Sequence, residues 1–200
     1  MLTFSLDTNC LIDIAEDRPD SAAIRALAEA HARGDVSVAV AAISASENQK
    51  TGERLTNFEQ FRARLETLSL GHLEILKPML YWDIGFWDWA YWVGPEMVAL
   101  EQKIHQVLFP NVEFQWPDFC AVRGWDPNAH PVDIKWRNAK CDVQALWSHI
   151  YHCRNVFVTG DAKFHAVTKL PALIALGAGH IVNPQSAVSM LTQTANAGTV

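Results

Sequence analysis

Four acidic residues stand where a fold can bring dispersed side chains together: Asp7, Glu47, Asp142 and Asp161. Asp7 directly follows the alternating apolar run 2–6, and Asp161 follows the run 155–159, both with the character of strands. Glu47 lies just past the β-branched and alanine run 36–43, and Asp142 sits at the start of an apolar helical pattern. Carboxylates a few ångströms apart raise one another's pKa, so four converging acids stay ionised only with cations between them. Ligands that are all oxygen favour magnesium or manganese over zinc. Two such ions about 3.5–4 Å apart would hold the attacking and leaving oxygens of a phosphodiester, and bound water would be the nucleophile. The implied chemistry is hydrolysis without a side-chain nucleophile, and one ion or two remains open. Each acid alone has a plainer use as a helix cap or turn former, so the weight lies in the four together.

The elements that must position these acids follow from the hydrophobic pattern. Residues 2–6 predict a strand, the turn Asp7-Thr8-Asn9 a helix start, and residues 21–33 a second helix begun by Asp20 or Ser21 and closed by Gly34-Asp35. The run 36–43 predicts a strand buried on both faces, with residues 44–47 leading into a further helix. Phe58, Phe61, Leu65 and Leu68 predict a helix over 57–68, and residues 71–77 a third strand. After a long change of character, residues 142–151 predict a helix with Val143, Leu146, Trp147 and Ile150 on one face. Strands at 155–159 and 179–182 follow, with a helix at 164–176 interrupted at Pro171, a helix at 184–191 and a loose tail from residue 195. Alternation of this kind predicts an α/β fold with a parallel sheet covered on both faces, its ligand site at the carboxyl ends of the strands. A single domain over 1–200 is expected.

Two longer segments resemble the motifs of the PIN domain family of nucleases. Leu6-Asp7-Thr8-Asn9-Cys10-Leu11-Ile12-Asp13 is similar to the family's opening motif, and Val158-Thr159-Gly160-Asp161-Ala162-Lys163-Phe164 to its later strand-end motif. Between them, Ser44-Ala45-Ser46-Glu47 resembles the segment of the second acid and Cys141-Asp142-Val143-Gln144-Ala145-Leu146 that of the third. The resemblance covers roughly residues 1–75 and 137–190. It implies a three-layer α/β/α sandwich around a parallel sheet of about five strands, and cleavage of RNA that depends on magnesium or manganese. By the same resemblance Asp7, Glu47, Asp142 and Asp161 would hold the metal, with Thr8, Asn9 and Thr159 orienting the acids or their waters. It further implies, for the toxin type of the family, a small protein antitoxin covering the acidic pocket.

The chain departs from that pattern in two places. Glu47 and Asp142 are much farther apart than in compact relatives, so residues 78–137, broken by Pro95, Pro110, Pro117, Pro127 and Pro131, read as a Trp-rich, mainly helical insertion. Met97, Leu100, Ile104 and Leu108 still predict a helix over 95–108 within it. Lys163 stands two residues after Asp161, where many relatives carry an acidic or polar residue; it either lowers the acid count or brings a cation to the phosphate.

Other residues invite chemistry less strongly. His149, His152 and His165 match no spacing of the HExxH type, and a solvent-facing ring or a backbone hydrogen bond is the plainer expectation. Cys10 and Cys141 flank site acids but read as buried, inert thiols, and the four cysteines form no CxxC pair. Lys135, Arg137 and Lys140 form the best local basic cluster and are candidates, with Lys163, for contacting substrate. Trp82, Trp87, Trp89, Trp92, Trp116, Trp125 and Trp136 lie in or beside the insertion, as a base-stacking platform, a local core or a homodimer contact.

Half of the 200 residues are hydrophobic, enough for one substantial core, yet no run approaches a membrane span, which points to a soluble cytoplasmic protein. A net charge of -6 does not exclude nucleic acid, because metal-binding carboxylates contribute to it and are neutralised by their cations. RNA is the expected substrate. A PIN fold used for binding or scaffolding, and a phosphohydrolase for a small phosphate ester, are the rival readings.

Overall fold

Thr3–Leu6 forms strand β1, whose Phe4 and Leu6 enter one apolar core while Ser5 faces the other side of the sheet. Asp7 ends the strand and caps helix α1 (Thr8–Ala15), its side chain accepting the Thr8 amide hydrogen. Helix α2 (Ser21–Ala32) buries Ile24, Leu27 and Ala28 and closes at Gly34, whose φ of 80° suits a residue without Cβ. Strand β2 (Ser37–Ala41) follows and gives way to a 3₁₀ turn over Ala42–Ala45, so the strand is shorter than the run 36–43. This is a computed structural model, which describes residues 1–45, 57–81, 84–92 and 94–197.

Asn57 caps helix α3 (Phe58–Thr67) by accepting the Gln60 amide, and Phe61 and Leu65 lock the helix onto the core. Strand β3 (Glu74–Leu76) is followed by irregular chain, then helix α4 (Pro95–Leu108), whose proline in the first turn gives up no hydrogen bond. Helix α5 (Trp116–Ala121) leads to helix α6 (Ile134–Tyr151). This helix starts eight residues before the expected position 142, because Asp133 caps it, accepting from the amides of Lys135 and Trp136. Asp142 is therefore inside a helix and not at its start.

Strand β4 (Val156–Val158) precedes helix α7 (Ala162–His165), helix α8 (Leu170–Leu173) and a π turn over Ile174–Ala178. Pro171 sits in the first turn of α8, and the predicted helix over 164–176 is thus divided in pieces. Strand β5 (His180–Val182) and helix α9 (Pro184–Ala197) complete the chain, and the helix runs through residues expected to be a loose tail.

The five strands are parallel, in the order β3-β2-β1-β4-β5. One core, containing Phe4, Leu6, Ile24, Leu27, Val38, Val40, Val156 and Val158, lies between the sheet and α1, α2, α3 and α9. A second, containing Ile43, Ile104, Val143, Leu146, Trp147, Phe157 and Ile181, lies between the opposite face and α4 and α6. Helices thus cover both faces. Among the described residues no helix is long and apolar enough to cross a membrane.

Much of the Trp-rich region is packed core. Trp136 is buried, its indole nitrogen donating to the Glu113 carbonyl, and Trp116 stacks on Phe119 beside it. Trp89 stacks on Phe58 of α3 with ring centroids 4.3 Å apart. Trp87 and Trp92 differ: they are exposed and face each other at 6.4 Å. Trp82 lies outside the described residues.

Candidate active site

The strand order runs outward in opposite directions from β1, through β2 on one side and β4 on the other. The connections that leave the carboxyl ends of β1 and β4 therefore part there and open a crevice, the usual ligand position in an open parallel sheet. Asp7 leaves β1 and Thr159, Gly160 and Asp161 leave β4 at that point, with Asp7 donating its amide hydrogen to the Val158 carbonyl at 3.0 Å.

Asp7 is held from three directions. Its Oδ1 accepts from the Thr8 amide at 2.8 Å, and its Oδ2 accepts from Asn9 Nδ2 at 3.0 Å and from the Thr159 hydroxyl at 2.7 Å. These bonds fill three of the roughly four acceptor positions of a carboxylate, so the side chain has one orientation. The Thr159 hydroxyl also accepts from Asn9 Nδ2 at 2.8 Å and from the Asp161 amide at 3.1 Å, which uses its full donor and acceptor capacity. Thr8, Asn9 and Thr159 thus act as one brace around Asp7 and the turn that carries Asp161. Burial raises the Asp7 pKa against the pull of the Thr159 and Thr8 hydrogen bonds.

Asp142 reaches the same crevice from above. Asp142 and His149 are seven residues apart on α6, roughly two turns, and so share a face. His149 touches Ser5 within β1 and donates from Nε2 to the Ala178 carbonyl at 2.9 Å, which leaves Nδ1 to accept from the Ser5 hydroxyl. With His149 anchored over the strand, Asp142 falls near the strand's end. Burial, then the neighbouring Asp7 charge, push its carboxyl up to about 7.

Lys163 joins the acids. Its Nζ lies 2.5 Å from Asp142 Oδ2 and 2.6 Å from Asp161 Oδ2, while its backbone amide donates to Asp161 Oδ1 at 2.9 Å. Burial works against the ammonium charge, but the Asp142 and Asp161 carboxylates prevail and raise the lysine's pKa. Lys163 in turn favours ionisation of Asp142 without overcoming burial and Asp7. Asp7, Asp142 and Asp161 therefore lie in one electrostatic neighbourhood around a single ammonium group. Among the described residues no three His, Cys, Asp or Glu side chains stand arranged to hold one metal ion. Glu47 lies outside the described residues.

The basic cluster at the start of α6 does not form one surface. Lys140 is buried, 2.9 Å from Glu101 and against the face of Phe114, and Arg137 is buried as well, leaving only Lys135 exposed. The cause is helical geometry: residues 135 and 140 project about 140° apart, and the Lys140 side packs against α4. Lys140 and Arg137 are thus not placed to meet a substrate from solvent. Lys135 is seven residues before Asp142 and shares its face, about 10 Å farther along the axis.

The remaining candidates take their plainer roles. His152 and His165 hydrogen-bond the carbonyls of Lys77 and Thr159 at 3.2 and 2.8 Å, and burial lowers the His149 pKa to about 4. The Cys10 thiol is buried, and burial and the Asp7 charge hold its pKa well above the ordinary thiol value. One acid escaped the sequence reading. Asp20, expected as a helix cap, makes no side-chain capping bond among the described residues, and its Oδ2 would lie 3.9 Å from a Cβ added to Gly160. No spacing rule links residues 20 and 160, so only the folded chain reveals this approach. Phe109, just past α4, also borders the site, its ring centroid 5.5 Å from the Lys163 ammonium. Compared with models of protein families the sequence matches none, and it matches no curated protein either.

Proposed function

We propose that this chain is a PIN-like, divalent-metal-dependent ribonuclease. The observation that carries this reading is the meeting of Asp7, Asp142 and Asp161, from three distant parts of the chain, at the point where the strand order reverses. Their hard oxygen donors suit magnesium or manganese, and the Asp142 carboxyl, pushed up to about 7 by burial and then by Asp7, would be drawn back to its charged form by a bound cation. Glu47 would be the fourth acid. When bound, the ion acidifies water and offsets charge on a phosphodiester. The chain's own part is to hold Asp7 fixed through Thr8, Asn9 and Thr159, to present Asp142 from a rigid helix, and to set Lys163 beside the scissile phosphate's oxygens.

The finer fold reading is a PIN-like three-layer sandwich in which residues 78–137 are an addition. On the toxin reading, a small antitoxin protein would cover the same crevice. A second reading, a PIN-like binding module without efficient catalysis, draws on one observation: Lys163 already engages both Asp142 and Asp161.

Incubation of the purified protein with RNA, single-stranded DNA and a phosphomonoester, with magnesium or with chelator, separates these readings. RNA should be cut with magnesium only, and Asp142→Asn should abolish cutting. Turnover of the phosphomonoester alone would make the chain a phosphohydrolase. RNA binding without cleavage would make it a binding module.

A further inference from the structure

We propose that Lys163 is the pocket's resident cation, standing where a second divalent ion would sit, so that the site takes one metal ion and not two. The inference rests on the metal-site reading of the same acids and adds to it the number of ions. Lys163 Nζ bridges carboxylates from separate elements, 2.5 Å from Asp142 on α6 and 2.6 Å from Asp161 after β4. A position between two acids is one that a divalent ion takes, and here an ammonium already fills it.

The lysine is held there from both ends. Its backbone amide is bonded to Asp161 Oδ1, so the side chain starts beside the acid that it neutralises. The ammonium lies over the rings of Phe109 and Phe164, 5.5 and 5.7 Å from their centroids, and the side chain is only 27% exposed. An exposed lysine would wave in solvent; this one is confined to the pocket.

Charge acts in the same direction. The ammonium already supplies positive charge among Asp7, Asp142 and Asp161, and so lessens what these acids gain from a second divalent ion. A second divalent ion would have to share the space between Asp142 and Asp161 with the Lys163 ammonium, two cations forced into close contact. The oxygens not engaged by Lys163, including Asp7 Oδ1, remain for the single ion.

Manganese uptake by the whole protein, followed by titration calorimetry and equilibrium dialysis, tests this directly. Wild type should bind one Mn²⁺. Lys163→Met should bind the first ion about tenfold more tightly or better, the scale on which one adjacent charge alters a carboxylate, and should admit a second. Lys163→Arg, which keeps the charge, should keep the wild-type stoichiometry and shows that folding alone is not being read. Two ions in wild type, or a Lys163→Met protein indistinguishable from it, would overturn the proposal while leaving the metal site intact. Uptake in wild type that Asp142→Asn fails to weaken, or no uptake in any form, would remove the metal-site reading and this inference with it.

Discussion

Asp142 carries a cost that can be measured. Its carboxyl is pushed up to about 7 in the folded protein by burial and then by Asp7, against about 3.9 in an unfolded chain. A group whose folded pKa is raised contributes stability that is complete below pH 4 and is lost as the pH rises through about 7. In chelator, Asp142→Asn should therefore be more stable than wild type at pH 8 by about 1–3 kcal/mol, with the difference fading toward pH 4. Urea unfolding at the two pH values checks this; equal or lower stability of the variant at pH 8 would mean that Lys163 has already offset the burial. At this scale the positions of Asp7 and Asp161 were legible because one follows β1 directly and the other lies just past the end of β4, so sheet direction decides where each emerges. Lys140 was not, because a charged residue in sequence gives no sign that Glu101 and three aromatic rings will enclose it.

Elements were legible where apolar spacing was dense, and they slipped where the boundary depended on a single polar contact. The strands and the helix Pro95–Leu108 follow from pattern alone. The start of α6 does not, because Pro131 and the charged residues around Asp133 disguise a cap that works through two amide bonds. Entry into β5 depends on a glycine in a similar way. Gly179 has a φ of 58°, and a Cβ there would stand 2.4 Å from the Asn155 carbonyl oxygen, whereas Gly34 has a φ of 80° and nothing within 4 Å. Gly179→Ala should thus cost about 3 kcal/mol or more, from strain and collision together, and Gly34→Ala only about 1–2 kcal/mol from strain. Denaturation midpoints of the two variants give the comparison, and similar losses would show that the β5 entrance relaxes freely.

Across the whole molecule, aromatic residues divide between packing and surface. Trp136 fills the core under α4 and α6, so Trp136→Ala should cost about 3–5 kcal/mol, while Trp92→Ala, at a position 81% exposed, should change stability by no more than about 0.5 kcal/mol. If Trp87 and Trp92 stack on RNA, removing them weakens its binding by about 1–3 kcal/mol per stacked base. Thermal melts and an RNA titration on the same variants separate the roles. Tyr91, next to Trp92, packs on Tyr151 at the far end of α6, about 13 Å along the helix from Asp142, so an RNA touching both would lie along α6. The sheet order has a last consequence, for the growing chain. Phe4 pairs with Val38 early, but its other neighbour, Val156, arrives roughly 80 residues after β3, or about 4–16 s later at ordinary rates of synthesis. During that interval β1 has one open edge, and throughout it the nascent chain holds Asp7 without Asp161. On the nuclease reading, a polypeptide not yet extended past Asp161 lacks the full set of acids, and with it the means to cut the RNA that is making it.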